Sequence, residues 1–225
     1  MGGFFNRREP DEILAILIAF VVAITIHEFM HAWTAWRLGD DTAARLGRIT
    51  LNPVEHFDPI GFLGLALIAF GFLGFGWGKP VPVNTYRLRP LGAFGQKGSM
   101  ALIAFAGPLS NVAQAAVVAI PLRLAGRSPD DYGRAGLFIQ AFILVNILLA
   151  SFNMIPVPPL DGYKILTGIL PNFWYPVLAP LERFGFMLLF LLIFLGGAIG
   201  GSIVAGMIFP VRDLLLRIVV GDAFF

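Results

Sequence analysis

The sequence contains no cysteine, and charged residues make up only 13% of its 225 residues. Without cysteine, the chain can form no disulfide and offers no thiolate ligand to a metal ion. Any metal site must therefore use His, Asp or Glu side chains. The formal net charge of +2 is too small to indicate a nucleic-acid-binding protein. Soluble domains carry about 25% charged residues, so the scarcity of charge argues against a soluble protein.

Apolar residues are correspondingly abundant, at 57% of the chain with a mean hydropathy of +0.80. Long apolar runs cover residues 13–36, 99–122, 137–155 and 184–209, and a shorter glycine-rich run covers 61–78. A helix needs about 20 residues to cross a hydrocarbon core of about 30 Å. The sequence therefore predicts an all-α, multi-pass membrane protein with four to six transmembrane helices. We expect one membrane-embedded domain over residues 1–225, with a core at about 12–170 and C-terminal helices at about 177–220.

The region after the first apolar run is predicted to associate with the membrane in a different way. Residues 45–51 alternate polar and apolar side chains, which predicts a short β-strand or hairpin. The run 61–78 is about 18 residues long, the lower limit for a span, so it is either a short crossing or a re-entrant segment. If it is re-entrant, the loop 37–97 holds seven of the sixteen Lys and Arg residues. The positive-inside rule then favours a cytoplasmic location for this loop.

An H-E-x-x-H motif lies within the first apolar run, at residues 27–31. Helical positions i and i+4 share one face, so His27 and His31 can bind a single ion. Glu28 can reach a water molecule beside that ion, accept its proton and pass the proton to a leaving amine. Ionisable residues on a membrane helix are costly and indicate a function. The motif therefore predicts a catalytic metal site inside the membrane.

Catalytic zinc takes three protein ligands, and the sequence leaves two candidates for the third. Asp161 follows a helix that prolines interrupt, at a depth where an unpaired carboxylate would be costly. His56 is the alternative, because a neutral imidazole also binds zinc, although a structural role in its turn is the simpler interpretation. We prefer Asp161. The oxyanion that forms during peptide hydrolysis needs a hydrogen-bond donor, and Asn153 is a better candidate for this donor than Asn111. Either side chain could instead form interhelical hydrogen bonds.

Taken in order, these motifs resemble those of the site-2 protease family of intramembrane zinc metalloproteases, in its small form without a PDZ domain. Four segments carry the resemblance: residues 27–31 (HEFMH), 52–56 (NPVEH), 107–111 (GPLSN) and 153–162, which ends in Leu-Asp-Gly. The resemblance implies one zinc ion bound by His27, His31 and Asp161, with Glu28 as general base. It also implies cleavage of a transmembrane helix near the cytoplasmic face, and it favours the re-entrant interpretation of 61–78.

The sequence therefore predicts a multi-pass zinc endopeptidase of the cell membrane, which we expect to be a prokaryotic plasma membrane. Its partners would be the lipid bilayer and a membrane-embedded peptide or protein substrate, in regulated intramembrane proteolysis, with no role for nucleic acid. Two other function classes stay open. His27, Glu28 and His31 could form the ion path of a transporter or channel, or the chain could be a non-catalytic membrane scaffold.

Overall fold

The computed structural model describes residues 9–70, 76–198 and 203–221, and within these ranges the chain is helical without any β-strand. The α-helices of these ranges are α1 Pro10–Arg37, α2 Thr42–Arg45, α3 Pro59–Ala69, α4 Gly95–Leu124, α5 Arg134–Asn153, α6 Asp161–Ile169, α7 Tyr175–Arg183, α8 Gly185–Ala198 and α9 Ile203–Val219. Short 3-10 turns occur in the connections, for example at Pro53–His56 and Asn172–Trp174.

Three helices of the described residues, α1, α4 and α5, are long and apolar enough to cross a membrane. A fourth span is added if Asn172–Arg183 and Gly185–Ile193, which meet at a bend of 71°, form one broken crossing. The all-α architecture with several long apolar helices is thus confirmed, whereas the count of four to six is not. The predicted run 184–209 includes residues 199–202, which lie outside the described residues.

Small side chains allow the central helices to approach closely. Ala15, Ala19 and Ala23 follow one stripe of α1, and Ala115 and Ala119 follow one stripe of α4, all at most 2% exposed. Helices in lipid associate through close packing and interhelical hydrogen bonds rather than through the hydrophobic effect, so such stripes favour their contact. The result is a bundle of α1, α4 and α5 in which polar side chains of one helix reach those of the next.

Residues 45–51 form turns, and the strand predicted there is absent. The short helix α2 ends at Arg45, and Gly47 then adopts a positive φ of 70° that turns the chain. Arg48 points inward, is 4% exposed, and donates hydrogen bonds to the carbonyl oxygens of Lys79 and Pro80. The alternation of polar and apolar residues predicted a short strand or hairpin. The contact of Arg48 with a segment 31 residues further along the chain replaces that arrangement.

The glycine-rich run 61–78 begins with α3, while residues 71–75 lie outside the described residues. A Cβ atom added at Gly61 would collide with the Trp77 carbonyl, and one added at Gly76 would collide with Leu65 Cβ. The two ends of the run therefore lie side by side, and the absence of side chains at Gly61 and Gly76 permits this approach.

An extended segment, residues 76–83, follows this run and is called the strap here. The Lys79 N–H donates to the His56 carbonyl at 2.9 Å, and beyond the strap the Asn84 N–H donates to Asp40 Oδ2 at 2.6 Å. Together with the Arg48 contacts, these bonds attach the strap to the loop that follows α1. The His56 side chain supports the same loop, because its Nε2 atom lies 2.8 Å from the Thr50 carbonyl oxygen.

We expect Arg48→Met to destabilise the protein by about 1–3 kcal/mol, because the carbonyls of Lys79 and Pro80 would lose a charged donor. The matched control is Arg45→Met, whose side chain is 66% exposed and pairs with Asp41 at the surface. Exposed ion pairs contribute little, so the control should unfold at nearly the wild-type temperature. Thermal unfolding of the detergent-solubilised proteins measures both. Equal destabilisation by the two substitutions would contradict the role given to Arg48.

Candidate metal centre

The side chains of His27, His31 and Asp161 meet in the interior of the bundle. The two histidines lie one turn apart on α1, and Asp161 is the first residue of α6. Asp161 Oδ2 lies 3.1 Å from the Nε2 atom of each histidine, and the two Nε2 atoms are 3.0 Å apart. In the part of the chain that the structure describes, these three buried residues form a group that could hold a metal ion.

Asp161 reaches this point because the chain breaks and restarts within a few residues. Helix α5 ends at Asn153, and three prolines at positions 156, 158 and 159 prevent its continuation. A Cβ atom at Gly162 would collide with the carbonyl oxygens of Met154 and Ile155. Glycine at position 162 therefore allows α6 to start directly against the end of α5, with the Asp161 carboxylate facing α1.

Both imidazole rings are held from behind through their Nδ1 atoms. His31 Nδ1 lies 2.7 Å from the Ile103 carbonyl oxygen on α4, and His27 Nδ1 lies 2.6 Å from Asn111 Oδ1 on the same helix. A carbonyl oxygen only accepts hydrogen bonds, so His31 carries its proton on Nδ1 and presents the lone pair of Nε2. Metal-binding histidines are usually oriented by a partner on the second nitrogen in this way.

The arrangement of acceptors fits a zinc ion. Two imidazole nitrogens and a carboxylate oxygen converge at hydrogen-bonding distance, and a cation between them would remove their mutual repulsion. Two histidines with one carboxylate leave a fourth zinc position open, as catalytic sites require. Gly107 of α4 provides the space, because a Cβ atom there would overlap the Nε2 atoms of both His27 and His31.

Glu28 and Asn153 line the same cavity of about 240 Å³ as the three clustered side chains. Glu28 is buried, and its Cγ atom would contact a Cβ atom at Gly78 in the strap. Asn153 donates an N–H to the carbonyl of Leu149, one turn earlier on its own helix, at 3.0 Å. The structure therefore brings together every residue of the predicted site, His27, Glu28, His31, Asn153 and Asp161.

Arg48 adds a positive charge near Glu28. Burial lowers the pKa of Arg48, whereas the carboxylates of Glu28 and Glu55 raise it. The Arg48 guanidinium therefore lies within electrostatic range of Glu28. Arg48 thus contacts the strap through hydrogen bonds and interacts with Glu28, a residue of the cavity, through its charge.

His56, the alternative third ligand, lies outside the cluster and serves the loop described above. Asn111, whose alternative role was an interhelical hydrogen bond, contacts His27 directly. Sequence reasoning did not identify Asn146, which is 0% exposed and bonds to Asn111, or Lys164, which lines the cavity. Lys164 could have been found from its position three residues after Asp161 on one helix. For Asn146, the available signal was a polar side chain between two uninterrupted apolar stretches, residues 141–145 and 147–150.

Comparison with known proteins finds relatives that share one description, although no family model and no solved structure matches the chain. The chain is 35% identical over 210 residues to "Putative zinc metalloprotease YwhC" of Bacillus subtilis, covering 90% of each protein. It is 32% identical over 187 residues to "Putative zinc metalloprotease Rip2" of Mycobacterium tuberculosis, covering 83% of this chain and 68% of Rip2. A third relative, MJ0611 of Methanocaldococcus jannaschii, carries the same description and is 43% identical over 86 residues, covering 38% of this chain and 41% of MJ0611.

We expect the purified protein to bind one zinc ion per chain, and His31→Ala or Asp161→Ala to lose it, because two remaining ligands hold zinc weakly. Elemental analysis after desalting measures the zinc content. The matched control is His56→Ala, which removes a buried histidine that lies outside the cluster. Full zinc content in Asp161→Ala would contradict the ligand set.

Gly107→Ala is expected to abolish zinc binding although none of the proposed ligand residues is replaced. The added methyl group would overlap the Nε2 atoms of both histidines and would force the rings away from Asp161. Gly206→Ala on α9 is the matched control, because a Cβ atom there meets nothing within 4 Å. Equal zinc content in the two variants, measured in the same way, would rule out the steric role of Gly107.

Proposed function

The chain belongs to the zinc metalloprotease family that includes YwhC and Rip2, and from this premise we propose that it is a membrane-embedded zinc endopeptidase acting on transmembrane segments of other proteins. The observation that carries the proposal is the convergence of His27, His31 and Asp161 beside Glu28, at a cavity bordered by the apolar helices α1, α4 and α5. A hydrolytic centre in this position acts on peptide bonds that enter the membrane region of the protein.

In this proposal, His27, His31 and Asp161 hold the zinc ion. When bound, zinc supplies Lewis-acid activation of water and of the substrate carbonyl. Glu28 accepts a proton from the attacking water and delivers it to the leaving amine, which requires the carboxylate to be ionised at the start.

Asn153 is proposed to donate a hydrogen bond to the oxyanion that develops on the scissile carbonyl. A side-chain amide has two N–H donors, and the Leu149 carbonyl accepts one of them. The second donor remains for the substrate, and Asn153 lines the cavity that contains Glu28. A donor aimed at developing charge in a cavity of low polarity stabilises the transition state.

The strap is proposed to bind the substrate next to the centre. A helical peptide bond is shielded from nucleophiles, so a substrate helix must unwind locally, and its freed backbone groups then need partners. Val81 and Val83 line the cavity, and their backbone N–H groups have no hydrogen-bond partner among the described residues. An unwound substrate strand could pair with this extended backbone, in the manner of β-strand addition.

The topology that we propose gives the centre its location near the cytoplasmic face of the cell membrane. The adjacent ends of the run 61–78 favour a re-entrant segment, which leaves the loop 37–97 with its seven cations on the cytoplasmic side. His31 lies six residues before the end of α1, about 9 Å along the helix axis. Water can reach the centre from that side.

Glu28→Gln is expected to retain zinc and to lower the rate of peptide cleavage by about 10²-fold or more, because the amide cannot accept the proton. Cleavage of a model transmembrane substrate in detergent and zinc content are measured on the same preparation. Glu55→Gln is the matched control, since this exposed carboxylate lies outside the cavity. Undiminished cleavage by Glu28→Gln would contradict the mechanism. Stoichiometric zinc in a wild-type protein that cleaves no membrane peptide would instead favour the scaffold function.

A further inference from the structure

Two buried asparagines form a hydrogen-bonded relay behind His27. Asn146 on α5 donates through Nδ2 to the Phe142 carbonyl at 2.9 Å. Its Oδ1 atom accepts from Asn111 Nδ2 at 2.9 Å, and the same Nδ2 also donates to the Ala23 carbonyl at 3.2 Å. Asn111 Oδ1 then lies 2.6 Å from His27 Nδ1. The relay therefore connects α5 to the histidine on α1 through α4.

Backbone carbonyls fix the direction of every bond in this relay. The Phe142 and Ala23 oxygens can only accept, so each must face the amide nitrogen of its asparagine. With both nitrogens committed, Asn146 Oδ1 is the acceptor for Asn111, and Asn111 Oδ1 is the acceptor for His27. His27 must then donate from Nδ1, which leaves the lone pair on Nε2, the atom that faces His31 and Asp161.

Reversing either amide would create contacts between two acceptor oxygens in a buried region. A reversed Asn111 would direct its oxygen at the Ala23 carbonyl, and a reversed Asn146 would direct its oxygen at the Phe142 carbonyl. Both asparagines are 0% exposed, so water cannot repair such a mismatch easily. The relay therefore has one satisfied state, and that state determines the tautomer of His27.

We propose that Asn146 is a positioning residue that acts through Asn111 to hold His27 in the Nδ1–H tautomer, the form whose Nε2 atom can bind zinc. The inference rests on the zinc site of the proposed function. His31 is held differently, because its partner is the Ile103 backbone carbonyl, and no side-chain substitution removes that acceptor. His27 is therefore the ligand whose orientation depends on side chains outside the metal centre.

The first experiment measures zinc affinity by competition with a chelator. Asn146→Leu removes an acceptor from Asn111 without touching the cluster, and we expect zinc to bind about 10–100-fold more weakly. Ser151→Ala is the matched control on the same helix, because among the described residues this buried hydroxyl bonds only to the Ile147 carbonyl, at 2.7 Å. Its affinity should equal that of the wild type. Unchanged affinity in Asn146→Leu, or the same loss in both variants, would overturn the proposal.

The second experiment observes the tautomers by NMR of metal-free protein labelled with ¹⁵N-histidine. The chain has three histidines, so the assignments are few. We expect His27 and His31 each to carry a proton on Nδ1, and His56 to be the Nε2–H tautomer, since His56 Nε2 faces the Thr50 carbonyl. In Asn146→Leu, His27 alone should show a mixture. An Nε2–H tautomer at His27 in the wild type would overturn the proposal even if the variant does not fold.

These measurements separate the relay from the proposed function. A wild-type protein that binds no zinc would contradict the proposed function, whereas the spectra of the metal-free protein would still decide how His27 is oriented. Normal zinc binding by both the wild type and Asn146→Leu would leave the metalloprotease intact and refute the relay.

Discussion

A polar side chain that is buried among membrane helices must find its partner within the protein, because the surrounding hydrocarbon offers none. In this chain the requirement is met by side chains that reach between helices, from Asp161 on α6 to the histidines of α1 and from Asn146 on α5 to Asn111 on α4. Each contact fixes the rotation of one helix relative to another. The geometry of the candidate metal centre and the packing of the bundle are consequently specified by the same bonds.

Small residues make these contacts possible. The alanine stripes of α1 and α4 bring the helices close, and Gly168 lets α6 lie against Ala101 and the Lys97 carbonyl of α4. Side chains of ordinary size at these positions would separate the helices by more than a hydrogen bond can span. The high glycine and alanine content of the apolar segments therefore has a chemical purpose, since it determines whether distant polar groups can meet.

The sequence predicts the residues of the centre well, because a helical repeat places His27 and His31 on one face and the motif order identifies Asp161. It predicts the surrounding loop poorly. The alternation at residues 45–51 is a local pattern, whereas the inward direction of Arg48 depends on carbonyl groups more than thirty residues away along the chain. The role of Asn146 was not predicted for a related reason. It depends on the direction of the hydrogen bonds to Asn111 and Phe142, which residue spacing does not indicate. The span count likewise depends on how helices bend, as between α7 and α8.

The backbone of α4 at Gly107 closes one side of the metal centre, with no side chain between the helix and the two imidazole nitrogens. A small-molecule inhibitor with a metal-chelating group therefore has no room to extend toward α4 at Gly107. Its substituents must project toward the strap, the end of α5 and the start of α6, where Val81, Asn153 and Lys164 border the cavity. Selectivity of such a compound among related enzymes would accordingly be determined by the strap, the end of α5 and the start of α6, and not by α4 at Gly107.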